Sequence, residues 1–232
     1  MISGILFDKD GTLFDFQATW SAWTHGVLID LADGDIPRAA MLGRAIGFTF
    51  DTGTFAPDSV VISHTAEDIA AALLPHLPGK SLPALVAMMN TMAASVALVP
   101  AIPLAPFLAM LRARGLRLGV ATNDAESAAR AQLSSVGIET AFDFIAGFDS
   151  GHGGKPHPGM LLAFASAHGL SPDEVVMVGD SRHDLVAGRA AGMRVVGVLT
   201  GLADADDLAP LAEAVLPDIG HLPGWIDAQA AA

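Results

Sequence analysis

The sequence predicts an α/β protein: a Rossmann-like parallel sheet with helices on both faces and an all-α segment inserted into it. Three observations carry this reading. Apolar runs of strand length recur along the chain, helical patterns separate most of them, and one long stretch near the N-terminus breaks the alternation. Near-continuous apolar strands alternating with helices belong to a sheet buried on both faces. A chain of 232 residues is long enough for one such core and one insertion.

The strand-length runs are residues 5–7, 116–121, 142–146, 175–178 and 195–198. Helices are expected at 106–114, 124–135, 157–168 and 184–191, and Gly115, Gly137, Gly169 and Gly192 stop them. Glycine is the usual residue just past a helix end, where the chain turns left-handed. Gly188 and Gly192 are also expected to let the last of these helices pack closely on the sheet. The inserted stretch reads as helices at 19–32, 37–46, 66–74 and 82–98, with a loop at 47–63 rich in Gly, Thr, Asp and Pro. Pro100 and Pro103 make its exit a stiff link suited to a hinge. The chain thus divides into a core of residues 1–14 and 100–232 and a helical domain of residues 15–99. The tail at 220–232 reads as frayed or peripherally packed.

Composition narrows the function. Lys plus Arg number 12 and Asp plus Glu 25, a formal charge of −13, which disfavours a nucleic-acid binder. Without Cys there is no disulfide, thiolate nucleophile or Cys-zinc site. Asp8, Lys9 and Asp10 stand where a signal peptide would need its apolar run. No charge falls between Lys80 and Arg112, but Pro83, Asn90, Pro100, Pro103 and Pro106 interrupt that stretch. A soluble, cytoplasmic protein with no membrane partner is expected.

Four strand ends and loops carry chemistry. The run at 5–7 leads straight into Asp8, Asp10 and Gly11. Two carboxylates one residue apart repel unless a cation neutralises them or one stays protonated. A hard, oxygen-seeking ion such as Mg²⁺ is the natural solution, and a plain Asp10–Gly11 turn is the alternative. The run at 116–121 ends in Thr122, Asn123 and Asp124, which read as a phosphate cradle ahead of a helix or as simple N-caps. Lys155 is pinned between Gly154 and Pro156, as a fixed cation or a solvated surface lysine. The run at 175–178 ends in Gly179 and Asp180, with Asp184 four residues on. Asp180 reads as a site carboxylate or an N-cap, and Asp184 falls in the first turn of a helix that Ser181 opens.

The order and spacing of Asp8–Thr12, Thr122, Lys155 and Asp180–Asp184 resemble the four motifs of the haloacid dehalogenase-like hydrolase superfamily, phosphoglycolate phosphatase-type members in particular. The resemblance covers residues 1–14 and 100–200, and the helical domain matches that superfamily's first-site cap. It implies that Asp8 is the nucleophile and Asp10 the general acid and base. Thr122 and the Asn123 backbone would hold phosphoryl oxygens, and Lys155 would neutralise charge. Mg²⁺ would bind Asp8, Asp180 and the backbone carbonyl of Asp10, with Asp184 orienting Lys155 or metal waters. Asp10 points away from dehalogenases and ATPases of the superfamily. The implied reaction is hydrolysis of a small phosphorylated metabolite, 2-phosphoglycolate foremost. A sugar phosphomutase and a non-enzymatic phospho-receiver are the alternatives. Trp20, Trp23, His25, Arg44 and Phe48 are candidates for the underside of the cap, the aromatic ones alternatively for its core, and Lys9 is given no role. The oligomeric state is not legible.

Overall fold

The computed structural model describes residues 1–62, 64–93 and 96–230. The chain opens with β1 (Gly4–Phe7) and passes into α1 (Phe16–Leu31), α2 (Ile36–Ala45), β2 (Phe48–Thr49), β3 (Thr54–Phe55), α3 (Ala66–Leu73) and α4 (Leu82–Ala93). An alternating half follows: α5 (Leu104–Ala113), β4 (Arg117–Ala121), α6 (Glu126–Ser135), β5 (Phe144–Ala146), α7 (Gly159–His168) and β6 (Val175–Gly179). It closes with α8 (Arg182–Ala190), β7 (Arg194–Val198), α9 (Ala205–Leu208), β8 (Ala214–Leu216) and α10 (Leu222–Ala230).

Six strands form a parallel sheet in the order β5-β4-β1-β6-β7-β8. Successive side chains of a strand point to opposite faces, so each apolar run feeds two cores. Ile5 and Phe7, Leu118 and Val120, and Val176 and Val178 pack with α5 and α6 on one face. Leu6, Val175 and Met177 pack with Met160 and Phe164 of α7 on the other. The expected fold class is therefore present. The outermost strand, β8, was not expected, because Ala214–Leu216 is only half-buried and barely longer than a turn. The tail is anchored too: Ile219 and Leu222 are fully buried, and Trp225 and Ile226 of α10 pack on the same core.

The segment from α1 to α4 buries a separate apolar cluster that includes Leu28, Leu42, Phe48 and Leu73. Side-chain caps set its helix starts. Asp15 accepts from the Ala18 amide, which begins α1 three residues earlier than expected, and Asp35 accepts from Arg38 ahead of α2. Thr65 and Asp68 cap α3 reciprocally. The antiparallel β2–β3 ribbon lies inside the expected loop, so the segment is not purely α-helical. The last helix ends at Ala93 rather than at 98: residues 96–98 are not helical, and 94 and 95 lie outside the described residues. The entering and leaving chains run side by side, with Asp15 N–H donating to Val99 O and Ala101 N–H to Leu13 O.

Gly188 and Gly192 serve different ends. A Cβ at Gly188 would lie 2.8 Å from Val195 Cγ2 and 3.0 Å from Met177 Cβ, so α8 sits on the sheet only because this position is bare. Gly192 has φ +75°, and a Cβ there would meet only Pro172 Cβ at an unstrained 3.8 Å, which makes it a helix terminator, not a packing site. Gly188→Ala therefore carries about 1–3 kcal/mol of overpacking against about 1 kcal/mol of gained helix propensity. We expect a net loss of about 1 kcal/mol in urea unfolding, and about 1–2 kcal/mol for Gly192→Ala from backbone strain. Gly224→Ala, in α10 with nothing within 4 Å of the new Cβ, should raise stability by up to about 1 kcal/mol. A gain for Gly188→Ala would contradict the close approach.

Candidate active site

β1 and β6 lie side by side, and the chain leaves β1 toward β4 on one side and leaves β6 toward β7 on the other. Ligands of open α/β sheets bind at such a switch point, beyond the carboxyl ends of the strands. Asp8 follows β1 directly, Thr122 follows β4, Asp180 follows β6, and Lys155 lies between β5 and α7. All four, with Asp10, Asn123 and Asp184, line one cavity. The seven residues expected to carry the chemistry all line it.

Lys155 is buried and not a surface lysine. Its Nζ lies 2.5 Å from Asp8 Oδ1 and 2.6 Å from Asp184 Oδ1. Asn123 holds the lysine from behind: its amide donates to Lys155 O at 2.9 Å, and Lys155 N–H donates to Asn123 Oδ1 at 2.8 Å. Asn123 and Asp124 do not cap α6, whose N-cap position is Ala125. Ser181, not Asp180, caps α8, in a reciprocal box with Asp184. Asp184 thus keeps one oxygen on Ser181 and gives the other to Lys155.

Asp180 Oδ1 accepts from Thr12 Oγ1 at 3.2 Å. Its Oδ2 is buried without a hydrogen-bond partner among the described residues. Gly11, at φ +81°, and Gly201 press their backbones on this carboxylate, where any Cβ would collide with it. Asp8, Asp180 and Asp184 each bring an oxygen within 4.8 Å of the others. A buried all-oxygen set with an orphaned carboxylate oxygen fits a hard divalent cation.

Burial pushes Asp8 up from the ordinary 3.8 to about 7; Lys155 opposes this, while Asp184 and Asp10 add to it. Asp180 is driven well above its ordinary value by burial and then by Asp8 and Asp184. Burial alone would lower Lys155, yet Asp184 and Asp8 carry it above its ordinary value. The site holds more negative charge than one ammonium can balance.

Asp10 turns away from this cluster. Its Oδ2 lies 2.5 Å from Lys9 Nζ, and its Oδ1 accepts the Trp20 indole N–H at 2.7 Å. Lys9 is fully buried, also pairs with Asp124 at 3.1 Å, and stands 5.3 Å from the Trp20 ring. Burial raises Asp10, and Lys9 and the Trp20 bond pull it back. Sequence reasoning missed Lys9. The signal was there, since a lysine next to a fully buried strand cannot reach water and must find carboxylates.

The helical segment supplies the opposite wall. Trp20 and Trp23 line the cavity as expected, whereas His25, Arg44 and Phe48 do not. His25 stacks on Phe48 and Phe50 inside the segment, and Arg44 is exposed, because α1 and α2 turn those faces elsewhere. His64 was unassigned; it lines the cavity, with its ring 4.9 Å from that of His183 on α8.

No helix of the described residues is long and apolar enough to cross a membrane. The haloacid dehalogenase-like hydrolase family model matches residues 5–198. A probable phosphatase, IndB of Dickeya dadantii, is 30% identical over 92% of this chain and 88% of its own. A phosphoglycolate phosphatase of Rhodospirillum rubrum is 37% identical, over 51% of this chain and about half (49%) of its own length. A crystal structure described as a predicted phosphoglycolate phosphatase from Haemophilus somnus superposes with TM-score 0.75, covering 97% of this chain and 98% of that one at 20% identity, and shows the same fold. The chain belongs to the haloacid dehalogenase-like hydrolase family, as a phosphatase-type member.

Proposed function

We propose that the chain is a Mg²⁺-dependent phosphatase that hydrolyses a small phosphate monoester through an aspartyl-phosphate on Asp8. The carrying observation is the buried Lys155 ammonium between Asp8 and Asp184, beside the orphaned Asp180 carboxylate. Asp8, Asp180 and the backbone carbonyl of Asp10 would hold the cation. When bound, it supplies the positive charge that the carboxylates lack and that a phosphoryl group draws on.

Lys155 keeps Asp8 Oδ1, which leaves Oδ2 to attack phosphorus. The bond from Oδ2 to phosphorus forms as the ester bond breaks, and the departing alkoxide takes a proton from Asp10. Water then attacks the aspartyl-phosphate and gives its proton to Asp10, which frees Asp8 and phosphate. Asp10 must be an acid in one step and a base in the next. Burial favours its neutral form, while Lys9 and the Trp20 N–H stabilise the carboxylate. Thr122 and the Asn123 backbone, at the end of β4, would receive phosphoryl oxygens. The helical segment, joined by the paired chains at 15 and 99, would act as a cap.

Asp8→Asn should leave no measurable phosphate release. Asp10→Asn should lose roughly 10²–10⁴-fold, more on alkyl than on aryl esters, because poor leaving groups need the proton most. Equal losses on both would contradict the acid role.

The metal can be tested by stability. In the metal-free protein Asp8 binds its proton up to about pH 7, far above its ordinary 3.8, so between these values the folded state holds more protons than the unfolded one. Stability then falls as pH rises through that window. Thermal unfolding should show Tm dropping from about pH 4 to about pH 7, with Mg²⁺ restoring it most at the upper end. Asp180→Asn should raise the metal-free Tm and erase the Mg²⁺ effect. A Tm indifferent to Mg²⁺ throughout would contradict the reading.

A further inference from the structure

The phosphatase reading leaves the alcohol half of the substrate open, and any identity given to that half rests on the phosphatase reading. The cavity has a volume of about 60 Å³, and its lining decides what can sit beside the phosphoryl group. Its core side carries five aspartates: Asp8, Asp10, Asp124, Asp180 and Asp184. Lys155 is the one cation lining it among the described residues, and Asp8 and Asp184 already share it. Lys9 is taken by Asp10 and Asp124.

The facing wall carries no lysine, arginine or carboxylate among the described residues. It is built from side chains such as Phe16, Trp20, Trp23, Ile62, Ile69 and Met89, and its polar members are His64 and Asn90. Residues 16–93 contain three lysines or arginines, Arg38, Arg44 and Lys80. Arg44 and Lys80 are exposed, Arg38 is half-buried and paired with Asp33, and none lines the cavity. A carboxylate on the leaving group would therefore be desolvated, with no lysine or arginine on this wall to meet it, opposite five aspartates. A polyhydroxylated sugar would strand hydroxyls on apolar side chains. A ring meets neither obstacle. The indoles of Trp20 and Trp23 stand edge to face, centroids 5.0 Å apart at 88°, as an aromatic corner on this wall. The Trp20 N–H is committed to Asp10, whereas the buried Trp23 N–H has no partner among the described residues.

We propose that the substrate is a phosphate monoester of an uncharged alcohol bearing an aromatic or heteroaromatic ring, which seats against Trp20 and Trp23. An acceptor atom on the ring system would take the Trp23 N–H. The expected preference for 2-phosphoglycolate, whose leaving group carries a carboxylate, is thereby reversed.

The test compares benzyl phosphate, 2-phosphoglycolate and glucose 6-phosphate, all esters of primary alcohols, so that leaving-group chemistry does not decide the ranking. With Mg²⁺ present, kcat/KM for benzyl phosphate should exceed that for 2-phosphoglycolate by roughly 100-fold. Trp23→Leu should erode this ratio by about tenfold or more. Ile62→Lys, which places a cation on the apolar wall, should improve 2-phosphoglycolate and weaken benzyl phosphate. Tryptophan fluorescence of Asp8→Asn titrated with each ester should give the same order of Kd without turnover. Trp225 stacks on Arg194, outside the cavity, and adds a constant background. Brisk hydrolysis of all three esters without preference for the ring overturns this inference alone. No hydrolysis of any of them, nor of p-nitrophenyl phosphate, overturns the phosphatase reading and this inference with it.

Discussion

Everything about this molecule turns on crowding of like charge at the carboxyl end of one sheet. β1 and β6 each end in an aspartate, and α8 adds a third carboxylate in its first turn. Parallel pairing of β1 with β6 forces Asp8 and Asp180 together, since Phe7 is in register with Val178 and Asp8 N–H extends the ladder to Val178 O. Lys155 balances one charge and shares itself between two partners. The remainder is unbalanced inside protein, where an unpaired carboxylate is costly. That deficit is what a divalent cation would fill, and the bound cation would in turn draw in an anionic phosphoryl group.

A second, separate ion pair runs parallel to it. Lys9, Asp10 and Asp124 form a buried set that joins the β1 end to the β4 end, and Trp20 reaches into it from the helical segment. Asp8 and Asp10 are therefore paired with different lysines. Asp8 and Asp10 are one residue apart yet live in distinct electrostatic surroundings, which is how adjacent carboxylates can take unlike tasks. The Trp20 bond ties the protonation setting of Asp10 to the position of α1.

Much of this was legible in the sequence. Strand ends could be read because apolar runs stop abruptly at Asp8, Thr122 and Asp180, and a fully buried parallel sheet tolerates no polar residue before its end. Helix starts were read less well, since Asp15 and Asp35 cap from outside the periodic pattern. β8 escaped notice because its pairing with β7, not its three residues, makes it a strand. At the site, the strand-end aspartates and Thr122 were named from the sequence, as were Lys155, Trp20 and Trp23, whereas the pairing of Lys9 and the place of His64 were not. Lys9 gave a local signal that went unused. His25 and Arg44 were expected in the cavity from residue type alone, and only helix orientation decides that they face elsewhere.

The most direct test is calorimetric titration of Mg²⁺ into the metal-free protein at neutral pH, beside Asp180→Asn. Because Asp8 is held near half-protonated there, binding should be to one site and should release protons, seen as heats that change with buffer ionisation enthalpy. Asp180→Asn should lose that binding while remaining folded. Absence of Mg²⁺ binding to the parent, or equal binding by the variant, would contradict the claim that the buried carboxylate cluster is a cation site.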